Sequence, residues 1–169
     1  MRKLFFLKKV FWLSIPFLMG LFFILLSQIP VNLVPYYHQS FPFVVSLVFY
    51  FAIFNKKVLN VFLIFLLGIV NDMLTSLPIG FYAFGFVFIF FLVNLFRSYL
   101  VSMVFTQLWV MFCFIFFCVD VIWAFLFFLI SGIWVSTGFW FVQYLFVCLF
   151  FPLFCRFFGF LNHKIQEVQ

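Results

Sequence analysis

The sequence predicts an all-α, polytopic membrane helix bundle, and three observations support this fold class. Of the 169 residues, 70% are hydrophobic and only 7% are charged, whereas a soluble domain is about half apolar and about a quarter charged. The apolar residues form long runs, and a run of about 20 such residues crosses a bilayer as a helix. Within the runs, polar residues do not alternate with apolar ones, as they do in the strands of a membrane barrel.

The chain has room for about six transmembrane helices and for no separate soluble domain, so residues 1–169 are predicted to form one domain. The N-terminal run lacks the small residues of a signal-peptide cleavage site, so we expect it to remain as the first helix. The long fifth run contains neither Gly nor Pro and is expected to be a single tilted helix. The predicted spans are 10–29, 41–54, 58–75, 81–96, 100–130 and 140–154.

The basic residues predict the orientation of these helices. Lys and Arg in short loops mark the cytoplasmic side of a membrane protein. With both termini in the cytoplasm and residues 30–40, 76–80 and 131–139 outside, every basic residue lies on the inner side. This distribution explains the net charge of +6 without a nucleic-acid partner. The basic residues are Arg2, Lys3, Lys8, Lys9, Lys56, Lys57, Arg97, Arg156 and Lys164.

Three of the predicted helices carry small and polar residues at spacings of three and four, which place them on one helix face. Two interpretations remain open. The faces are either packing surfaces, where small residues allow close approach and polar ones hydrogen-bond across the contact, or the walls of a polar pocket that opens to the outer leaflet. The residues are Asn60, Ile64, Gly68, Asp72 and Thr75; Gly80, Ala83, Val87 and Asn94; and Ser102, Thr106, Trp109, Cys113, Asp120 and Ala124.

Two acidic residues, Asp72 and Asp120, lie within the predicted helices. A carboxylate in the middle of a bilayer costs about 2.5–3.5 kcal/mol on insertion scales, so each of these needs a partner. No basic residue is assigned to the outer half of the bilayer, where both carboxylates are predicted to lie. Each carboxyl group is therefore hydrogen-bonded, protonated, or paired with a group outside this chain. For Asp72 we expect hydrogen bonds from the backbone of the turn at 78–80, and hence a structural role without chemistry.

The residue types needed for catalysis or metal binding are not grouped in this sequence. The cysteines, Cys113, Cys118, Cys148 and Cys155, match no zinc-ligand spacing. His38 and His163 are isolated, and no glycine-rich phosphate loop or Ser–His–acid motif occurs. We therefore predict no enzymatic activity, no cofactor and no bound metal.

The segment 68–80, GIVNDMLTSLPIG, resembles the rod shape-determining protein MreD family. The resemblance consists of Gly68, then Asp72 four residues later, then a Pro78–apolar–Gly80 turn before the next helix. Upstream, 41–43 and the apolar run after it are similar to the family's second helix, although members often carry an acidic residue or Trp where Phe43 stands. The motifs cover about 41–97, and the remainder agrees in length and hydropathy.

This resemblance implies a non-enzymatic role in the rod complex that drives cell elongation, in the bacterial cytoplasmic membrane. The implied partners are a single-pass MreC-like protein, the actin-like MreB filament, and RodA with its transpeptidase partner. The implied fold is similar to the S-components of energy-coupling-factor transporters. From the motif and the polar faces, the candidates for structural or partner-binding residues are Gly68, Asp72, Pro78, Gly80 and Asp120.

Two other functions are compatible with a membrane bundle. A small-molecule-binding, S-component-like transporter subunit needs a pocket with converging polar groups. It also needs small residues four apart on the first helix, which offers only Ser14 and Gly20, six apart. A protein that presents a lipid-linked precursor needs basic residues on the outer side to hold a pyrophosphate, and the predicted outer side has none. The scaffold function makes neither demand.

Overall fold

A computed structural model describes residues 2–28, 42–56, 58–75, 78–132 and 137–166, with only the backbone described for 2–13, 137 and 139. The described residues form six α-helices, which confirms the all-helical fold class. The helices are α1 (Arg2–Ser27), α2 (Val44–Phe54), α3 (Val61–Thr75), α4 (Phe81–Ser102), α5 (Phe105–Ser131) and α6 (Thr137–Gln166).

Three of the described helices are long and apolar enough to cross a membrane. These are α4 with 22 residues, α5 with 27, and the 27-residue part of α6 from Trp140 to Gln166. The other described apolar segments, Ser14–Ser27 of α1 together with α2 and α3, have 10–17 residues. α2 and α3 fall below the roughly 20 residues of an untilted span, whereas the whole of α1 has 26 residues.

Several predicted boundaries were wrong because hydropathy marks the part of a helix in lipid and not its ends. α4 continues to Ser102 instead of ending at 96, so α5 begins at Phe105 instead of 100. α6 begins at Thr137 and continues to Gln166, far beyond the predicted 140–154. Intrahelical hydrogen bonds satisfy the backbone equally well in polar surroundings. The predicted outer loop 30–40 lies outside the described residues, as does 133–136 of the predicted loop 131–139.

The short helix α2 lies in the centre of the bundle. Its residues from Val44 to Ile53 are all buried, and it packs against α1, α4 and α6. Its 11 residues span about 16 Å at the rise of an α-helix, about half of the roughly 30 Å hydrocarbon core. A helix that is apolar all round belongs in a core. The predicted short second span is therefore an interior element.

Aromatic side chains join α2 to α5 and α6. The ring centroid of Phe49 lies 5.1 Å from that of Phe112 and 5.7 Å from that of Phe151, both edge-on. Phe112 and Phe151 stack with centroids 3.8 Å apart. All three side chains are fully buried. Edge-on and stacked aromatic pairs add to the stabilisation that burial itself supplies.

A proline interrupts the hydrogen bonds of α6, and a neighbouring helix compensates for it. Pro152 lies inside α6, and because proline has no N–H, the carbonyl of Cys148 four residues earlier loses its helical donor. The indole Nε1–H of Trp109 on α5 donates to this carbonyl at 2.9 Å. Proline is tolerated in transmembrane helices when neighbours satisfy the freed backbone group in this way.

Candidate functional site

The best-defined polar site is the turn between α3 and α4, which is organised around Asp72. The Asp72 side chain is fully buried. Its Oδ2 accepts a hydrogen bond from the N–H of Gly80 at 2.8 Å, and its Oδ1 accepts one from the N–H of Tyr82 at 2.7 Å. The bond from Gly80 is of the kind that the sequence predicted from the turn at 78–80, whereas Tyr82 lies in the first turn of α4 and was not predicted as a donor.

Asp72 does the work of an N-cap residue for α4. The first N–H groups of a helix have no intrahelical acceptor, and an N-cap side chain normally supplies one. Here the N-cap is Gly80, which has no side chain and adopts a left-handed conformation with φ 107°. A carboxylate from α3 takes the place of the missing cap, and its negative charge also suits the positive end of the α4 dipole.

Gly68 and Pro78 complete this turn. A Cβ atom added to Gly68 would overlap the backbone of Ala83. Only glycine at position 68 therefore allows α3 and α4 to come this close. The carbonyl of Pro78 accepts a hydrogen bond from Phe81 N–H at 3.1 Å. Ser76 and Leu77 lie outside the described residues. The four motif residues, Gly68, Asp72, Pro78 and Gly80, therefore all belong to one hairpin.

Trp123 of α5, which no sequence pattern indicated, packs against the same end of α4. Its side chain is fully buried, and its Nε1–H donates to the carbonyl of Phe81 at 3.2 Å. A Cβ atom on Gly85 would overlap the indole ring, so this glycine makes the space that the tryptophan fills. The sequence signal available for this contact was Gly85, a glycine within an apolar run.

Asp120 lies apart from the α3–α4 turn. It is buried, with 7% of its surface exposed, and it is near Tyr144 and Cys148 on α6. Within the described residues its Oδ1 atom has no hydrogen-bond partner. Asp120 thus belongs to the contact between α5 and α6, one helical turn before Trp123.

The predicted polar faces correspond only in part to buried surfaces. On α3, Ile64, Gly68 and Asp72 are buried, but Asn60 is exposed and precedes the helix. The predicted face of α5 was wrong: Ser102 belongs to α4, Thr106 is exposed, and the buried residues of α5 are mostly apolar. They are Leu108, Phe112, Ile115, Phe116, Val119, Asp120 and Trp123.

Local hydrogen bonds explain why several polar residues need no partner on another helix. The Ser102 hydroxyl donates to the Tyr99 carbonyl at 2.9 Å, and the Asn94 amide donates to the Phe90 carbonyl at 2.9 Å. A side chain that donates to a carbonyl of its own helix in this way has its hydrogen bond satisfied without a second helix. Their position on the helix is therefore a weak indicator of which face is buried.

Polar contacts of long sequence separation close the opposite end of the bundle. The Nδ2–H of Asn55 donates to Oδ1 of Asn162 at 3.1 Å, and both side chains are buried. The Nε–H of Arg97 donates to the carbonyl of Ile53 at 2.9 Å, which satisfies one of the last carbonyls of α2. The sequence had assigned Arg97 only to the orientation of the chain.

The described side chains offer hydrogen bonding and packing. Among them, no group of three His, Cys, Asp or Glu residues is placed to hold a metal ion. The four cysteines are free thiols that are buried or half-buried. In the hairpin, both oxygens of Asp72 are engaged with backbone donors, so this carboxylate holds the turn together.

No protein-family model matches the chain, and no curated protein and no solved structure is significantly similar to it.

Proposed function

We propose that this chain is a multi-pass protein of the bacterial cytoplasmic membrane that serves as a non-enzymatic scaffold of the rod complex, in the manner of the MreD family. It crosses the bilayer about six times, with both termini in the cytoplasm. Its fold is similar to that of the S-components of energy-coupling-factor transporters. The observation that carries this proposal is the hairpin at Asp72.

The hairpin supports the proposal because the residues that resemble the family are also the ones that build the turn. Asp72 accepts two backbone hydrogen bonds, and Gly68 allows α3 to lie against Ala83. Both oxygens of the motif's carboxylate are thus used to hold the turn. A catalytic carboxylate, in contrast, needs an oxygen free to reach a substrate.

The expected partner is a single-pass, MreC-like membrane protein that binds through helix packing. Only two residues separate α4 from α5, so this connection offers little surface. The lipid-facing side of α5 presents large exposed side chains such as Val110, Phe114 and Val121. Helices associate in lipid through packing and interhelical hydrogen bonds. RodA with its transpeptidase partner, and MreB, are further expected members of the complex.

Co-purification tests this proposal. The full chain is expressed with the MreC-like protein of a rod-shaped bacterium, either intact or without its soluble domain, and is purified in mild detergent. We expect both forms of the partner to co-purify, and we expect the chain to restore rod shape to cells that lack their own MreD-family protein. Binding of the soluble domain alone, or failure of the intact partner to bind, would contradict the proposal.

A small-molecule-binding, S-component-like transporter subunit is the alternative. Two grooves on the described surface are lined almost entirely by apolar side chains, which offer a polar ligand few of the hydrogen bonds that such sites supply. A stoichiometric small polar molecule that co-purifies with the chain would favour this alternative.

A further inference from the structure

An open apolar groove runs between α1 and α6 on the surface of the bundle. Its volume is about 810 Å³, within the range of about 300–1,000 Å³ that is typical of ligand sites. Leu18 of α1 and Leu153 of α6 form exposed walls. Phe23 is buried beneath them, with its ring centroid 5.1 Å from that of Phe154. The groove is therefore open to the surface, and aromatic side chains form its floor.

A second, smaller groove lies on another side of α6. It has a volume of about 290 Å³ and is lined by residues of α2, of the α4–α5 connection, of α5 and of α6, including Tyr50, Met103 and Leu108. Arg156 lines both grooves. The cationic side chain of Arg156 thus adjoins both apolar grooves.

The depth of Arg156 fits the boundary of a bilayer. Arg156 lies about 28 Å along α6 from Thr137 at the rise of an α-helix, close to the roughly 30 Å thickness of the hydrocarbon core. It shares the second groove with Met103, where the chain turns from α4 to α5. The side chain therefore lies at the level where α4 ends and α5 begins, which is where lipid headgroups are expected, while α6 continues to Gln166.

The charge of Arg156 is not compensated within the described part of the chain. The side chain is exposed, and no hydrogen bond or ion pair from the described residues engages it. Asp72 is bonded to the α3–α4 turn, and Asp120 lies in the outer part of α5 near Tyr144. Glu167 lies outside the described residues.

We propose that Arg156 and its two grooves form a binding site for an anionic phospholipid. The guanidinium binds the headgroup phosphate, and an acyl chain enters each groove. Arginine pairs strongly with phosphate oxygens, and basic pockets between transmembrane helices bind anionic headgroups. An apolar helix of a partner protein would fill the groove but leave Arg156 without a counter-charge. The site does not depend on the proposed scaffold role.

Native mass spectrometry of the purified full chain tests the headgroup contact. The chain is exposed to mixed micelles that contain equal amounts of phosphatidylglycerol and phosphatidylcholine. We expect bound phosphatidylglycerol to exceed phosphatidylcholine, and Arg156→Gln to reduce this preference about fivefold, since one basic side chain near anionic lipid contributes about that factor. Arg156→Lys should retain most of the preference, because an ammonium still attracts the phosphate as a point charge.

Lys164→Gln is the matched control for charge, because Lys164 lies at the same end of α6 but over the ring of Phe160, 4.6 Å from its centroid. We expect this variant to bind lipid like the unmodified chain. Equal binding of the two lipids by the unmodified chain, or an unchanged preference in Arg156→Gln, overturns the proposal. An equal loss in Lys164→Gln also overturns it, because the attraction would then be a property of net charge.

A second experiment tests the groove. Leu153 and Leu129 are 63% and 61% exposed, but only Leu153 lines the groove. We expect Leu153→Trp to lower the amount of bound phosphatidylglycerol at least threefold and Leu129→Trp to leave it unchanged. A photo-crosslinking residue at position 153 should capture lipid in native membranes. Equal binding by the two tryptophan variants, or capture of a polypeptide at position 153, overturns the proposal.

Discussion

At the residue scale, the α3–α4 turn contains two backbone N–H groups for which a bilayer offers little water. The N–H groups of Gly80 and Tyr82 each donate to one oxygen of Asp72. An unmet buried donor costs about 1–3 kcal/mol. Because both oxygens are used, an Asn at position 72 can accept only one of these bonds and would direct its amide group at the other donor.

We now predict an ordered effect of substitutions at Asp72 on stability. Asp72→Asn leaves one N–H without an acceptor, which costs about 1–3 kcal/mol, and Asp72→Leu leaves two without one. Since 1 kcal/mol shifts the melting temperature of a chain of this size by about 2–4 °C, Asn should lower it by several degrees and Leu by about twice as much. Thermal unfolding of the purified chain in detergent measures both shifts.

Asp120→Asn is the matched control, because the buried Oδ1 of Asp120 has no acceptor role within the described residues. This variant should shift the melting temperature much less than Asp72→Asn does. If Asp72→Asn were as stable as the unmodified chain but failed to restore rod shape, Asp72 would act through its charge and the structural role would be wrong.

At the element scale, α6 depends on α5 for a hydrogen bond that its own backbone cannot make. Pro152 leaves the Cys148 carbonyl without its helical donor, and Trp109 supplies the replacement at 2.9 Å. This pair explains how a 30-residue helix contains an internal proline in the middle of a membrane protein. The hydrogen bond also fixes the position of α5 relative to the proline in α6.

The prediction at this scale is a coupling between Trp109 and Pro152. Trp109→Phe removes the indole donor and should cost about 0.6 kcal/mol and at most about 1.7 kcal/mol, the average and the maximum measured for hydrogen bonds between membrane helices. In a Pro152→Ala background the cost should be smaller, because that substitution restores a backbone N–H that can donate to the Cys148 carbonyl. Unfolding free energies of the four proteins of this double-mutant cycle, measured in detergent micelles, give the coupling.

Tyr144→Phe provides the control for this cycle. The Tyr144 hydroxyl donates across the same helix pair to the Cys113 carbonyl at 3.1 Å, but that carbonyl has an ordinary helical donor four residues later. Its loss should not couple to Pro152. An equal cost of Trp109→Phe in both backgrounds would show that the indole contributes through packing alone.

At the scale of the whole molecule, the described turns divide between two ends of the bundle. The α3–α4 turn at Ile79 lies at one end of α4, and the α4–α5 connection at Val104 lies just beyond the other end. Both side chains are well exposed, at 72% and 68%. Because α4 is long and apolar enough to cross a membrane, the two positions should lie on opposite sides.

Accessibility of introduced cysteines tests this orientation. In a background in which the four native cysteines are replaced, an impermeant maleimide added to intact cells should label Ile79→Cys but not Val104→Cys. Permeabilised cells should allow labelling of both. Labelling of Val104→Cys alone in intact cells would invert the proposed orientation, and labelling of both would show that α4 does not cross the membrane.

The predictions from sequence that succeeded concern local spacing. Asp72 is eight residues from Gly80 and ten from Tyr82. A helix followed by a tight turn therefore brings these two N–H groups within reach of the Asp72 carboxylate. In contrast, the buried pair Asn55 and Asn162 is separated by 107 residues, and Trp123 lies 42 residues from Phe81. Neither contact has a signal in the spacing of its own segment.

The sequence by itself determined the helical fold class and the membrane character, and it predicted that Asp72 bonds to the α3–α4 turn. These properties depend on the transfer of apolar side chains into lipid and on contacts within one hairpin, which composition and spacing express directly. The tertiary structure decided that α2 is an interior helix, that α5 buries an apolar face, and that Arg156 lies between two grooves. Lipid is as apolar as the side chains it surrounds, so hydropathy does not distinguish a lipid-facing residue from a buried one. Only the packing of helices against each other makes that distinction.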